Sequence, residues 1–161
     1  MAQTFNGKPG DRIVIDRLVY HHWAIYIGEN EVVHLVPHGG DSSSSLELLS
    51  IRGEVKRQKL ADVVGNDSYQ VKNLLDKKYR ARDSSVIVKE ACAMVGRELS
   101  YNDDTYNCEH FATDLRYGEA ESRQVRRAAC PALAGLAAAR AATNDFSDSR
   151  LIYRSLKRLS K

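Results

Sequence analysis

The pattern along residues 11–15 alternates well enough for a first strand, two polar positions followed by Ile13 and Ile15 on one side and Val14 on the other. The same period runs through 22–27 and 31–36. Between them Gly28-Glu29-Asn30 makes a short hairpin turn, with Asn30 in the left-handed conformation. Pairing Ile27 with Glu31 puts His34 opposite Ala24, diagonal to His22 on the same face. Diagonal neighbours on one face are roughly 7–8 Å apart. A one-residue slip would send the two rings to opposite faces. Further strands are expected at 46–51 and 55–60, and a turn at Gly65-Asn66-Asp67. The Gly/Ser run at 38–45 is either a flap beside the hairpin or a flexible connection.

The period becomes helical over 84–98, where Ser84 or Ser85 can cap and Ile87, Ala91, Met94 and Val95 form a stripe. Cys92 falls in that register and reads as core. A second helix is expected after Asn107, ending at Tyr117 with Gly118 as its stop and Phe111 and Leu115 as its buried stripe. The apolar stripe over 84–98 suits a helix packed on the sheet.

At 161 residues, with 43% hydrophobic and 28% charged content, one domain plus a tail is expected. The first ten residues lack the basic start and apolar core of a secretory signal, so the protein is expected to stay inside the cell. Three cysteines, Cys92, Cys108 and Cys130, are an odd and unpaired set, as expected of reduced thiols in the cytosol. No C-x-x-C occurs, so no structural zinc is expected. Residues 1–118 carry net charge −2 and residues 119–161 carry +5, so the basic surplus belongs to the tail. Ile152, Leu156 and Leu159 recur there at helical spacing among Arg150, Arg154, Lys157, Arg158 and Lys161. Either this tail lies on an anionic membrane or it is a disordered basic segment. Nothing in it supports nucleic-acid binding.

Cys108 falls in the first turn of the second helix, where free N–H groups and the helix dipole favour an anion. The dipole is worth only about 0.3–1 kcal/mol, less than one pKa unit. A neighbouring imidazolium is needed for the thiolate to dominate at neutral pH. One reading makes Cys108 a nucleophile, His22 its base and His34 the group that orients the base, a set suited to acyl transfer through a thioester. The other makes them a buried cysteine and two core histidines, and the residues alone leave both open. His110, two positions beyond Cys108, should point away and be structural. His21 alternates to the face opposite His22.

The segment from Asp16 to Pro37, with His22-Trp23-Ala24-Ile25-Tyr26-Ile27-Gly28 and Val32-Val33-His34-Leu35, resembles the HRAS-like suppressor family of phospholipase A and acyltransferase enzymes. Asn107-Cys108-Glu109-His110-Phe111 and Leu115-Arg116-Tyr117-Gly118 extend the likeness, as does 63–71. It runs from about Pro9 to Arg127, and the family is related to lecithin retinol acyltransferase.

The resemblance implies an α+β, circularly permuted papain-like fold, an antiparallel sheet packed against helices, and favours catalysis. By position the nucleophile matches Cys108, the base His22 and the second histidine His34. The implied activity is hydrolysis of an sn-1 or sn-2 ester of phosphatidylcholine or phosphatidylethanolamine through an acyl thioester, or transfer of the acyl group to an amine such as that of phosphatidylethanolamine. It requires no metal or cofactor. The Cys108 backbone N–H is the expected oxyanion donor.

Residues 1–127 would form the catalytic domain and 128–161 an Ala-rich segment and basic tail that meets the membrane surface peripherally. Family members often end in a membrane anchor, but here the apolar stretch 128–139 is twelve residues closed by Arg140, short of the roughly twenty that span a bilayer. A cytoplasmic enzyme associated with intracellular membranes is therefore expected. The alternatives are a papain-like peptidase or amidase, and a regulatory module of the same fold without turnover.

Overall fold

The computed structural model describes residues 5–38, 52–103, 105–123 and 125. Its six strands are β1 (Arg12–Asp16), β2 (His21–Gly28), β3 (Glu31–Pro37), β4 (Arg52–Lys59), β5 (Ser68–Val71) and β6 (Glu98–Ser100). They form one antiparallel sheet in the order β5-β1-β2-β3-β4-β6. Helices α1 (Leu60–Val64), α2 (Ser84–Met94) and α3 (Cys108–Tyr117) complete the α+β fold that the sequence predicts. No helix among the described residues is long and apolar enough to cross a membrane.

Both faces of the sheet are covered. Val14, Trp23, Ile25, Val33 and Leu35 pack with Ile87, Ala91 and Met94 of α2 and with Cys108, Phe111 and Leu115 of α3. On the other face Ile13, Ile15, Ala24, Tyr26 and Val32 meet Leu60, Val63 and Val64 of α1. This accounts for the unbroken apolar run of Ile13, Val14 and Ile15, since a strand covered on both sides has no face to leave polar.

The hairpin differs from expectation in its turn yet keeps its register. Gly28, not Ile27, pairs with Glu31, and Gly28, Glu29 and Asn30 have φ of 95°, 52° and 59°. The turn is one residue shorter than predicted, and the ladder shifts between Tyr26 and Gly28, making Ile27 a bulge. One change cancels the other, so Ile25 faces Val33 and Tyr26 faces Val32 as predicted.

Helix α2 ends at Met94, short of the predicted 98, because the chain reverses at Gly96 with φ 82°. Residues 98–100 instead add β6 to β4, burying Leu99. Val95 is left 38% exposed and Cys92 half-buried, so neither joins the core as expected. Strand β1 begins one residue later than predicted and β4 three residues earlier, while α1 and β5 carried no clear pattern. The expected strand at 46–51, most of the 38–45 run and the tail from 126 lie outside the described residues.

All ten residues of α3 are buried. Its C-terminus is held by Gly118 in the left-handed conformation, φ 76°, whose N–H bonds the Asp114 carbonyl at 2.7 Å. Arg116 reaches the Gly10 carbonyl at 2.9 Å and Asp76 at 3.0 Å, and the Tyr117 hydroxyl donates to Asp76 at 2.6 Å.

Candidate active site

The start of α3 is built by Asn107. Its Oδ1 accepts from the Glu109 N–H at 2.9 Å and the His110 N–H at 3.2 Å, while His110 Nδ1 accepts from the Asn107 N–H at 3.1 Å. This reciprocal capping box fixes Cys108 as the first helical residue. His110 turns back to the cap and stacks near Tyr106, with centroids 6.0 Å apart. It is structural, as the sequence indicated.

Beside it, buried Glu109 lies 3.7 Å from the Arg12 guanidinium and accepts from the Ser122 hydroxyl at 2.7 Å. Arg12 is 1% exposed and sits 4.2 Å above the Trp23 ring, tying α3 to β1 and β2. In the sequence Arg12 resembles any solvated strand residue, because its partner lies far along the chain.

By alternation His22 shares a sheet face with Ala24 and Tyr26, and His34 shares it with Val32. The structure brings the rings together, with His22 Nε2 2.7 Å from His34 Nδ1. On its far side His34 Nε2 lies 2.7 Å from Gln58 Oε1 on β4. An amide oxygen only accepts, so His34 carries its proton on Nε2 and its Nδ1 accepts from His22 Nε2–H. His22 Nδ1 is thereby left as the unprotonated nitrogen. Gln58 carries no signal of this role in the sequence, since only the β3–β4 register brings it to His34.

Cys108 approaches from the opposite face. Its Sγ lies 3.9 Å from the His21 carbonyl and takes hydrogen bonds from the Trp23 N–H and the Tyr101 hydroxyl. The N–H and C=O of Tyr26 bond toward β1, through Asp11 and Gly10, so odd-numbered residues of β2 direct theirs toward β3. The β2–β3 pairing stops at Ile25 and Val33, and the sulfur occupies the opening beyond it, against the main chain that carries the His22 ring. Among the described residues, Cys108 has no hydrogen bond to either imidazole. His21 faces outward and pairs with Asp16 at 2.9 Å.

Burial keeps this site neutral at rest. It pushes the Cys108 thiol, 3% exposed, up to about 11, and the Glu109 charge adds to the rise. The Trp23 N–H, the Tyr101 hydroxyl and the Glu109 N–H pull the other way. Burial likewise lowers His22 to about 3, helped by His34 and Arg17, and lowers His34 to about 4, opposed by its bond to Gln58. A resting thiolate with an imidazolium, expected from the helix dipole and a charged neighbour, gives way to a thiol and a neutral imidazole. Desolvation of both groups outweighs the dipole.

His110 is also lowered by burial, to about 4. These three rings bind fewer protons folded than unfolded between about pH 6.5 and 4. Stability is therefore complete above about 6.5 and falls as the pH drops through that window. Each ring contributes about 1.4 kcal/mol per pH unit there. Thermal melts should accordingly drop by more than about 10 °C between pH 7 and pH 4.5; an unchanged midpoint would contradict neutral burial of the rings.

Comparison with known proteins bears on what such a site serves. The profile of the family described as "Lecithin retinol acyltransferase" matches residues 6–121. The human protein named Phospholipase A and acyltransferase 4 is 49% identical over 125 residues, covering 75% of this chain and 76% of the relative. Phospholipase A and acyltransferase 3 of Pongo abelii is 46% identical over 138 residues, covering 81% and 85%. The human protein named Phospholipase A and acyltransferase 1 is 41% identical over 126 residues, covering 76% and 75%. With a capped helix, two joined imidazoles and a buried thiol inside the matched span, the chain belongs to the lecithin retinol acyltransferase family.

Proposed function

We propose that this chain is a phospholipase A and acyltransferase that works through an acyl thioester on Cys108, with His22 as general base and His34 as the group that orients it. The observation that carries this reading is the chain of bonds from Gln58 through His34 to His22, which ends on an unprotonated nitrogen of the residue next to His21, whose carbonyl lies 3.9 Å from the sulfur.

In this mechanism the thiol proton passes to His22 Nδ1 as Sγ attacks the ester carbonyl of phosphatidylcholine or phosphatidylethanolamine. Asn107 occupies the N–H groups of Glu109 and His110, leaving the Cys108 N–H to face the oxyanion. Collapse of the tetrahedral adduct breaks the ester C–O bond, and His22 returns the proton to the departing lysophospholipid. Water or the amine of phosphatidylethanolamine then attacks the thioester, giving a fatty acid or an N-acyl lipid and restoring the thiol. Residues 1–127 form the catalytic unit. The basic tail lies against the cytoplasmic surface of intracellular membranes.

Incubation with both lipids, followed by mass identification of products, tests this function. Lysophospholipid with fatty acid or N-acyl phosphatidylethanolamine is expected, and cleavage of peptides with no lipid product would favour a peptidase. The role of Gln58 is open to a finer test. Gln58→Leu removes the acceptor that sets the tautomer and should lower kcat about tenfold with little change in KM. Gln58→Glu stabilises a charged His34 and should move the acid limb of the pH profile upward by about a unit.

A further inference from the structure

The reversal between β1 and β2 carries Leu18 at 101% relative exposure, Val19 at 86% and Tyr20 at 53%. The other large exposed apolar residues among those described, Leu74, Val86 and Val95, are less exposed and not contiguous with these. The tip is shaped rather than loose, since the Arg17 N–H bonds the Tyr20 carbonyl at 2.9 Å and closes the turn. Tight hairpin turns favour Asn, Asp and Gly, so consecutive leucine and valine there oppose local preference. Departures of that kind mark functional positions.

The charges at its base are already engaged. Arg17 pairs with Asp67 and donates to the Val63 carbonyl at 2.6 Å, and His21 pairs with Asp16. A neutral apolar point above internally paired charges suits an uncharged, water-excluding partner rather than an acidic or basic one.

From these features we infer that Leu18, Val19 and Tyr20 form a docking tip that enters the headgroup–acyl boundary of a glycerophospholipid bilayer. His22 follows Tyr20 by two strand residues, roughly 7 Å. Insertion of interfacial elements is roughly 5–10 Å deep, so an inserted tip holds His22 near the ester layer. This rests on the phospholipid reading for its purpose, but the docking itself is measurable without turnover.

The full chain carrying Cys108→Ser is the protein to use, with vesicles of phosphatidylcholine alone to remove the attraction between basic tail and anionic lipid. Adding Leu18→Ser and Val19→Ser should weaken vesicle partition about tenfold or more. In a separate variant, Leu18→Trp should be quenched by brominated acyl chains, whereas the parent, with only buried Trp23, should not. Unchanged partition or an unquenched Leu18→Trp would overturn the inference. So would sedimentation showing a dimer that the double variant dissociates, because a second copy would then cover the tip. Tip-dependent binding by a protein that, unmodified, yields no lipid products would keep the docking and reject the catalytic proposal.

Discussion

Replacing Cys108 by serine should lower fatty-acid release from phosphatidylcholine by about 10⁴-fold or more and abolish trapping of labelled acyl chain on the protein. A serine hydroxyl is a far weaker acid than even a thiol raised to about 11, and a neutral imidazole held at about 3 is too weak a base to deprotonate it. The same variant should stay folded. Oxygen is smaller than sulfur, and the Trp23 N–H and Tyr101 hydroxyl can donate to it as they do to Sγ. Loss of turnover at an unchanged melting temperature therefore assigns the nucleophile. Persistent acyl trapping would point to another thiol, and Cys92 on α2, half-buried and outside the core, would be the first to test.

His22→Ala should lower kcat/KM by about 10³-fold, within the 10²–10⁴ range of a lost general base. The effect should exceed that of Gln58→Leu, because Gln58 acts only through His34. Neutral resting groups add a second expectation. In the unmodified protein the rate of thiol alkylation should climb steadily from pH 6 toward the thiol value near 11, without the low-pH plateau of a preformed ion pair. His22→Ala should slow alkylation near neutral pH by removing the acceptor of the thiol proton. A plateau beginning near pH 4 would mean that thiolate and imidazolium coexist at rest, and the neutral description would be wrong.

Much of this architecture follows from local pattern. The strands carrying His22 and His34, the pairing that unites their rings, and the helix opening at Cys108 and stopping at Gly118 all arise from short-range rules of alternation, capping and backbone conformation. The register held through a compensation that local rules did not reveal, a shorter turn offset by a bulge at Ile27. Elements with weak local signals, α1 and β5, were not legible. Helix α2 ends sooner than its periodicity predicts because pairing of Leu99 with Gly53 on a distant strand helps determine where the chain turns.

The sequence by itself determined which residues carry reactive side chains, which family the motifs resemble, and which face of the hairpin bears the two histidines. Only the tertiary structure decided that Gln58 sets their tautomer, that Arg12 is buried against Glu109 behind the thiol, and that the sulfur enters from the other face of the sheet. The physical reason is range. Alternation and capping act over a few residues, whereas burial, which sets the protonation of thiol and rings, depends on segments brought together from far along the chain.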